Sequence, residues 1–223
     1  MRIITGERHV CNGGEEARVL AWTLINCNSA NTAFIQHRET SRKRYDMSDH
    51  LPLTTPATPE ELFALLDKLA IAHSTTQHEA VFTVEESAHI KGMIPGGHTK
   101  NLFVKDKKDN YFLIVAEGSA RIAMNHVHPL IGAQTRVSFA NAEKLMEYLG
   151  VQPGSVTAFA PMNDHANHVQ VIIDEPLFEH ELINCHPLTN TMTTTISRED
   201  LLKFLNHVGH EPRIVRLSTP IDS

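Results

Sequence analysis

The sequence predicts an α/β fold with a single mixed β-sheet, because segments with helix-capping signals alternate with short apolar runs from about residue 57 onward. The chain has 223 residues, which is enough for one domain of ordinary size with a complete core, plus an appendage. Two full domains would be cramped in this length. We therefore expect one mixed-sheet domain with helices at its periphery.

Helices are predicted where a capping residue precedes an apolar stripe at helical spacing. Thr58-Pro59-Glu60-Glu61 is a capping box with proline at the first helical position, and four leucines follow it at helical spacing. Thr83-Val84-Glu85-Glu86 and Ser197-Arg198-Glu199-Asp200 repeat the same capping pattern. With their caps, the predicted helices span about 58–71, 83–90, 141–149 and 197–209.

Strands are predicted from short apolar runs between turn residues. The runs 101–105 and 111–116 are joined by the polar turn Asp106 to Asn110. Their apolar residues are nearly continuous, which is typical of strands covered on both faces. Further strands are predicted near 155–159, 168–174, 181–186 and 191–196.

Residues 1–46 differ from the rest of the chain. They lack sustained periodicity and end in the basic cluster Arg42-Lys43-Arg44, whereas Met47-Ser48-Asp49 resembles the start of a natural protein. We predict that 1–46 is a poorly structured extension outside the functional protein and that 47–223 forms the working domain. The alternative is a short packed N-terminal element around Val19 to Ile25.

Composition limits the partners and the compartment. The net charge of −6 argues against a broad basic face for DNA, although it allows a local contact with the end of an RNA. No apolar run approaches the roughly 20 residues that span a bilayer, and the N-terminus lacks the pattern of a secretory signal. The expectation is a cytoplasmic protein without a membrane partner.

The metal-binding residue types form no recognisable site. Cys11, Cys27 and Cys185 are too scattered for a disulfide framework or a zinc site. Fifteen histidines are present, but His126-Val127-His128 has no third ligand nearby. We expect no metal and no organic cofactor. Cys185 and the adjacent His186 cannot form a catalytic pair, because neighbours on a strand point to opposite faces, so we expect Cys185 to be a small buried residue.

Lys100 is the first candidate site residue. It stands where the glycine-rich turn Gly96-Gly97 runs into an apolar strand, so we expect it at a strand end, where soluble folds place chemistry rather than packing. Polar residues also concentrate in three other segments between predicted elements. The four segments are 96–101, 154–158, 163–164 and 184–191.

The residue motifs of these segments and their order resemble the YbaK/ProX family of free-standing aminoacyl-tRNA editing deacylases. These proteins are related to the editing domain inserted in bacterial prolyl-tRNA synthetases. The resemblance covers about residues 57–217 and implies that family's mixed-sheet fold. Any one motif is weak, but several in the right order are specific. The motifs are Lys100-Asn101-Leu102-Phe103, Asp106-Lys107-Lys108, Leu149-Gly150 with Pro153-Gly154-Ser155-Val156-Thr157, Asn163-Asp164, His186-Pro187-Leu188-Thr189-Asn190-Thr191, Asp200 to Leu205, and Gly209-His210-Glu211-Pro212.

The resemblance implies roles for individual residues. Lys100 matches the required lysine, Gly154 opens the Gly-x-x-x-Pro loop around the aminoacyl ester, and His186 matches the histidine that contacts the substrate amino group. The proline of that loop is Ala158 here, a change expected to loosen the loop. The remaining predicted substrate-binding residues are His98, Asn101, Ser155, Asn163, Asp164, Asn190 and Thr191.

The activity implied by the resemblance is hydrolysis of mischarged tRNA(Pro), above all Ala-tRNA(Pro), with the acceptor end of the tRNA as the partner and prolyl-tRNA synthetase as a further one. An aminoacyl ester is already activated, so positioning and oxyanion stabilisation suffice. Backbone N–H groups near Gly154 and the charge of Lys100 suit these tasks. The alternatives are Cys-tRNA(Pro) as substrate, a non-catalytic module that binds tRNA or a synthetase, and a metal-dependent hydrolase.

Several residues keep two interpretations at this stage. Asn163 and Asp164 either shape the site or close a hairpin turn, and Asn190 and Thr191 either contact substrate or belong to cross-strand hydroxyl pairs. Lys105, Lys107 and Lys108 are interpreted as a solvated turn, with contact to tRNA phosphates as the alternative. The predicted walls of the amino-acid pocket are Ile90, Met93, Ile94 and Phe159.

Overall fold

A computed structural model defines the fold of residues 55–79 and 94–219. The helices are α1 (Pro59–Lys68), α2 (His128–Ile131), α3 (Ala142–Leu149) and α4 (Arg198–His207). The strands are β1 (His73–Gln77), β2 (Gly97–Lys105), β3 (Tyr111–Glu117), β4 (Arg121–Ile122), β5 (Ser138–Phe139), β6 (Val169–Asp174), β7 (Leu182–Cys185), β8 (Met192–Ser197), β9 (Arg213–Val215) and β10 (Ser218–Thr219). Within these ranges, no helix is long and apolar enough to cross a membrane. The predicted extension 1–46, the predicted helix at 83–90 and the predicted walls Ile90 and Met93 lie outside the described residues.

The main sheet is mixed, as predicted, and β2 lies near its middle. Its strand order is β1-β8-β7-β2-β3-β6-β9, and β5 pairs with the far end of β2. β2 runs antiparallel to β3 but parallel to β7, while β3 is parallel to β6. β4 and β10 form a separate two-stranded sheet.

Both faces of the central strands are covered, which explains their continuous apolar runs. All residues of β3 from Tyr111 to Ala116 are buried. Leu113 and Val115 belong to the larger core cluster, which packs against α1, α3 and α4, whereas Phe112 and Ile114 belong to a second cluster with Ile131 of α2. Because side chains alternate between the two faces of a strand, the single apolar run of β3 contributes residues to both core clusters.

The predicted caps at Thr58 and Ser197 are confirmed, and that at Thr83 lies outside the described residues. Thr58 and Glu61 form both bonds of the capping box, with the Glu61 N–H donating to the Thr58 hydroxyl at 3.3 Å and the Thr58 N–H donating to the Glu61 carboxylate at 2.8 Å. Asn141 caps α3 and Ser197 caps α4 through their side chains. The first helix ends at Lys68 rather than near Ile71, because Ala70 takes a positive φ of 51° and turns the chain.

The predicted strand at 155–159 is wrong. These residues form a loop that follows the turn at Pro153 and Gly154 and leads into a 3₁₀ helix, Ala160–Asn163. Ala158 and Phe159 are fully buried, so the run is apolar because the loop packs into the core. Gly154 has a φ of +92°, a conformation that breaks strand pairing at the start of the run.

β2 begins at Gly97, four residues earlier than the predicted strand. Lys100 is therefore not at a strand end: it lies inside β2 and pairs with Ala116 of β3. The polar residues His98 to Asn101 occupy half-buried positions of the strand. The first half of β2 was not predicted because its side chains are polar, whereas the strand predictions rested on apolar runs.

Candidate active site

The strands β2 and β7 part after two paired residues, and the opening between them is called the crevice here. The two strands pair only through Gly97 with Ile183 and His98 with Asn184. Continuing this register by two residues would set Lys100 beside His186, but β7 ends at Cys185. Along the edge that faces β7, β2 next pairs at Val104, with β5. Within the described residues, no strand therefore pairs with this edge of β2 between residues 99 and 103. Unpaired backbone at the centre of a sheet is suited to receive a ligand.

Lys100 lies on one face of this crevice. It shares the face with His98, because both are even-numbered residues of β2. Its ammonium donates a hydrogen bond to the carbonyl oxygen of Ala120, in the turn after β3. The side chain is half-buried, so its charge is placed against the sheet rather than extended into bulk water. His98 is also tied down, since its Nε2 lies 3.0 Å from the carbonyl oxygen of Ile94.

Asn101 projects from the opposite face, together with Thr99. The Thr99 hydroxyl donates to the carbonyl oxygen of Asn184 at 2.9 Å and contacts the Cys185 sulfur at 3.7 Å. The Asn101 amide nitrogen lies 3.4 Å from the Thr99 hydroxyl, whereas its Oδ1 is buried without a hydrogen-bond partner within the described ranges. An acceptor of this kind is costly unless something donates to it. Lys100 and Asn101 therefore border the crevice from different sides.

His186 is held as a neutral hydrogen-bond acceptor. Its Nδ1 lies 3.0 Å from the carbonyl oxygen of Met192, and because a carbonyl only accepts, Nδ1 carries the proton and Nε2 keeps its lone pair. Burial lowers the pKa of His186, and the nearby His78 and His98 lower it further against the opposing effect of the Met192 carbonyl. The ring is thus uncharged at neutral pH.

His78 is a neighbour of His186 that the sequence did not reveal. The two ring centroids are 6.3 Å apart. His78 Nδ1 donates to the carbonyl oxygen of Glu79 at 2.8 Å, so Nε2 accepts from the Thr193 hydroxyl at 2.9 Å. The backbone N–H of His78 also donates to Thr191, which fixes the residue against the start of β8. No local pattern marks His78, because its partners are more than 100 residues away in the chain.

The loop from Gly154 to Ala158 is attached to the end of β7 and lies near the β7–β8 turn. A Cβ at Gly154 would lie 3.8 Å from the amide nitrogen of Asn190, so the loop and the β7–β8 turn are in contact range. The Ala158 N–H donates to the Cys185 thiol. A proline at 158 could not make this bond, because proline has no backbone N–H.

Cys185 is a structural thiol, as predicted. It is 1% exposed, and burial raises its pKa to about 12, although hydrogen bonds from Thr99 and Ala158 act in the other direction. A thiol that remains protonated is a poor nucleophile. Its role is to join β2, β7 and the Gly154 loop at one point.

The other predicted contacts near this loop are in place but differ in exposure. Asn190 and Ser155 are half-buried, whereas Thr191 is exposed at the turn before β8. The Thr191 hydroxyl lies 3.1 Å from that of Thr189 in the same turn, so it is not part of a cross-strand pair. The cross-strand hydroxyl pair of this sheet is Thr75 with Thr194, at 2.8 Å.

Asn163 and Asp164 make hydrogen bonds to other parts of the fold. Asn163 donates to the Leu149 carbonyl oxygen at 2.9 Å and accepts from the Ala57 N–H at 2.8 Å, which ties the chain before α1 to the end of α3. Asp164 is buried and accepts from the Val169 N–H at 2.7 Å. Val169 pairs with Tyr111 of β3, and Tyr111 pairs with Lys105 of β2. Lys105 is five residues from Lys100, a distance of about 17 Å along the strand. These hydrogen bonds are structural, and the substrate contacts expected of both residues stay predictions.

Phe159 is also a core residue rather than an exposed pocket wall. It is fully buried and packs edge-on against Phe204 of α4 with a centroid distance of 5.2 Å. Ile94 is buried beside the first residues of β2, where its carbonyl oxygen contacts His98. Of the predicted walls, only Ile94 lies next to the crevice in the part of the chain that the structure describes.

The described residues contain no group of three His, Cys, Asp or Glu side chains that could hold a metal ion. The three histidines near the crevice are instead turned toward backbone and hydroxyl partners. What the arrangement offers chemically is one ammonium group, one neutral imidazole acceptor, one buried amide oxygen and a loop of backbone N–H groups. This set suits recognition and charge stabilisation of an ester.

Comparison with known proteins gives a consistent result. A family model described as the aminoacyl-tRNA editing domain matches residues 78–204. The prolyl-tRNA synthetase associated domain-containing protein 1 of Danio rerio is 36% identical over 162 residues, covering 70% of this chain and 85% of the relative. The prolyl-tRNA editing protein ProX of Acetoanaerobium sticklandii is 31% identical over 159 residues, covering 71% and 96%.

Solved structures share the fold at low sequence identity. The structure of a candidate trans-editing enzyme for prolyl tRNA synthetase superposes with a TM-score of 0.55 at 17% identity, covering 73% of this chain and 99% of that one. A scaffold protein used for epitope grafting gives a TM-score of 0.58 at 16% identity, covering 73% and 97%. These likenesses bear on the fold, and they confirm the predicted architecture.

Proposed function

Because the chain belongs to the aminoacyl-tRNA editing family and is therefore an aminoacyl-tRNA deacylase, we propose that it removes alanine from mischarged tRNA(Pro), in trans and without a metal ion. The observation that carries the proposal is the crevice between β2 and β7: β2 bears Lys100, His186 directly follows the end of β7, and the Gly154 loop is bonded to Cys185. Prolyl-tRNA synthetase is the proposed functional partner, since it would supply the mischarged product.

Hydrolysis of this ester needs little from the protein. An aminoacyl ester is already activated, so the enzyme has to hold the ester, position a water molecule or a ribose hydroxyl, and stabilise the oxyanion. The backbone N–H groups of the Gly154 loop are the proposed oxyanion donors. The Lys100 ammonium is the proposed partner of the terminal phosphate or ribose. No side-chain nucleophile is required, which agrees with the protonated state of Cys185.

His186 is proposed to bind the α-ammonium group of the substrate. Its unprotonated Nε2 can accept a hydrogen bond from that group, and a charged imidazole could not. The buried Oδ1 of Asn101 offers a second acceptor on the other side of the crevice. Two acceptors and one cation would then fix the amino group and the nucleotide end of the same ester.

Selection of alanine over proline is proposed to rest on size. A synthetase pocket built for proline cannot exclude a smaller amino acid strongly, since each missing methylene contributes only about 1–3 kcal/mol. A second, smaller pocket can destroy the wrong product and exclude the right one. Cysteine is the competing substrate, because it is close to alanine in size.

The test is deacylation of Ala-, Cys- and Pro-tRNA(Pro) by the full chain, with and without EDTA. The proposal expects rapid, EDTA-resistant loss of alanine while proline is retained. Faster loss of cysteine than of alanine would reassign the substrate, and inhibition by EDTA that zinc reverses would contradict the metal-free mechanism. Tight tRNA binding without hydrolysis of any ester would show a binding module instead.

A further inference from the structure

A column of aromatic rings runs from the core to the surface at the Lys105 end of β2. Phe103 stacks on Tyr111 at a centroid distance of 5.6 Å, and Tyr111 meets Tyr148 of α3 edge-on at 4.9 Å. Tyr148 in turn stacks on His168 at 4.6 Å, with 14° between the ring planes. Phe103 and Tyr111 are buried, whereas the His168 side chain is 50% exposed. The column thus ends in an imidazole that has one face on Tyr148 and half of its surface in water.

The outer ring is fixed in place. His168 Nδ1 lies 3.0 Å from Oδ1 of Asp164, a carboxylate whose side chain is 1% exposed. Asp164 is itself anchored by the Val169 N–H. A ring held by stacking on one side and by a buried carboxylate at its edge loses little further freedom when a flat ligand stacks on it.

Two lysines flank the column. Lys144 Nζ lies 5.0 Å from the centroid of Tyr148, and Lys105 Nζ lies 6.0 Å from that of Tyr111. Each is paired with an exposed carboxylate, Lys144 with Glu147 and Lys105 with Asp109. Exposed ion pairs of this kind contribute little, so phosphate groups can replace the carboxylates at small cost.

Basic residues are concentrated at this end of the domain. The described ranges hold twelve basic residues (Lys and Arg) and seventeen acidic ones (Asp and Glu). Five basic and five acidic residues lie at this end, and seven basic and twelve acidic residues lie elsewhere. Two of the five local carboxylates, Asp106 and Asp164, are buried and hydrogen-bonded internally, so the local surface is positive on an otherwise acidic domain. The five cations are Lys105, Lys107, Lys108, Arg136 and Lys144.

We propose that Tyr148, His168 and these five cations, here called the His168 surface, bind the acceptor arm of the tRNA. Exposed aromatic rings that stack on bases, flanked by cations that bind phosphates, are how proteins hold unpaired RNA. The His168 ring is the stacking platform, and Lys105 and Lys144 bind phosphates on either side of it. The inference rests on the proposed function, which places the 3′ ester at Lys100.

The spacing along β2 fits this arrangement. Lys105 lies five residues from Lys100, or about 17 Å along the strand, and it shares the face of Asn101 rather than that of Lys100. About five nucleotides of stacked strand, at roughly 3.4 Å each, cover the same distance. The single-stranded 3′ end would therefore run from the Asn101 side of the crevice to the His168 surface.

Binding of uncharged tRNA(Pro), measured by fluorescence anisotropy over a salt series, tests the surface without any hydrolysis. The double variant Lys105→Gln with Lys144→Gln should bind about tenfold more weakly and reduce the slope of log affinity against log salt by roughly 1.5. The matched control is Lys68→Gln with Lys203→Gln, which removes two lysines outside the surface and should change neither quantity.

The ring is tested separately. His168→Ala should weaken binding by roughly 5- to 100-fold with little change in the salt slope, and His168→Phe should restore most of the loss because it keeps a ring that can stack. Since His168 also holds Asp164, thermal unfolding is measured for each variant. If His168→Ala unfolds, the lysine variants still decide the proposal, because both side chains are partly exposed.

Equal tRNA affinity and equal salt slope in the lysine double variant and its control would overturn the proposal. Normal tRNA affinity with lost binding to prolyl-tRNA synthetase would also overturn it and make the surface a protein interface. The alanyl ester of a CCA trinucleotide separates this inference from the proposed function. If the wild-type protein hydrolyses neither that ester nor Ala-tRNA(Pro), the proposed function fails, while the binding series still decides the surface.

Discussion

His186 shows how one backbone carbonyl can set the chemistry of a side chain. The Met192 carbonyl fixes the proton on Nδ1, and burial keeps the ring neutral, so Nε2 points out as an acceptor. The sequence identified His186 through its motif, but its protonation state depends on a residue on the next strand and on His78. Neither contact is visible in a local pattern.

The rate of deacylation should therefore depend on pH through His186. Because burial lowers its pKa below the ordinary value of 6.5, the neutral form persists through that pH, and single-turnover kcat/KM should fall only at more acidic pH, by about tenfold per unit. His186→Asn keeps an acceptor that does not titrate, so it should remove the acidic limb. A wild-type profile that instead rises as the pH is lowered would contradict the acceptor role.

At the scale of elements, the site exists because two parallel strands separate after two paired residues. The divergence of β2 and β7 leaves part of β2 open, and the Gly154 loop approaches this opening by way of Cys185 and Asn190. The loop depends on the backbone of Gly154, whose φ of +92° strains any L residue.

Gly154→Ala should lower kcat/KM by about 10- to 100-fold, because strain of roughly 1–3 kcal/mol would move the N–H groups of the loop. The space at Gly154 is not limiting, since the added Cβ would lie 3.8 Å from its nearest neighbour. Gly209→Ala is the matched control, with a φ of +86° and 3.7 Å between the added Cβ and Asn167, its nearest neighbour. Equal effects of both substitutions on activity would mean that only global stability had changed.

The elements also show where sequence patterns succeed and fail. Helix starts were predictable because Thr58, Asn141 and Ser197 cap through bonds within three residues. The loop at 155–159 was not, because burial makes a loop as apolar as a strand. The first half of β2 was missed for the opposite reason, since its polar residues line the crevice. Asn163 and Asp164 were placed in the site because their motif lies between site motifs, although their hydrogen bonds are structural.

At the scale of the whole molecule, family and fold were both within reach of the sequence, and the comparisons confirm them. The order of the motifs carried that prediction, because several weak patterns in sequence are together specific. The cytoplasmic location and the working boundary at Met47 stay predictions. The alignments with the relatives of Danio rerio and Acetoanaerobium sticklandii cover 70% and 71% of the chain.

A chain that begins at Met47 should fold and deacylate like the full chain. The helices and strands that build the sheet and both described core clusters lie after residue 58, so the truncation removes none of these residues. The measurement compares thermal unfolding and deacylation rate for the two lengths. Loss of the cooperative transition in the shorter chain would place residues 1–46 in the working domain.

The central claim is that the crevice beside Lys100 hydrolyses the ester of mischarged tRNA(Pro). Single-turnover deacylation of Ala-tRNA(Pro) by the wild-type protein and by Lys100→Ala tests it most directly, with Lys68→Ala as the control for loss of a lysine elsewhere. We predict rapid loss of alanine with the wild type and the control, and a rate lower by roughly 100- to 1,000-fold with Lys100→Ala. A wild-type rate in a folded Lys100→Ala protein would contradict the account.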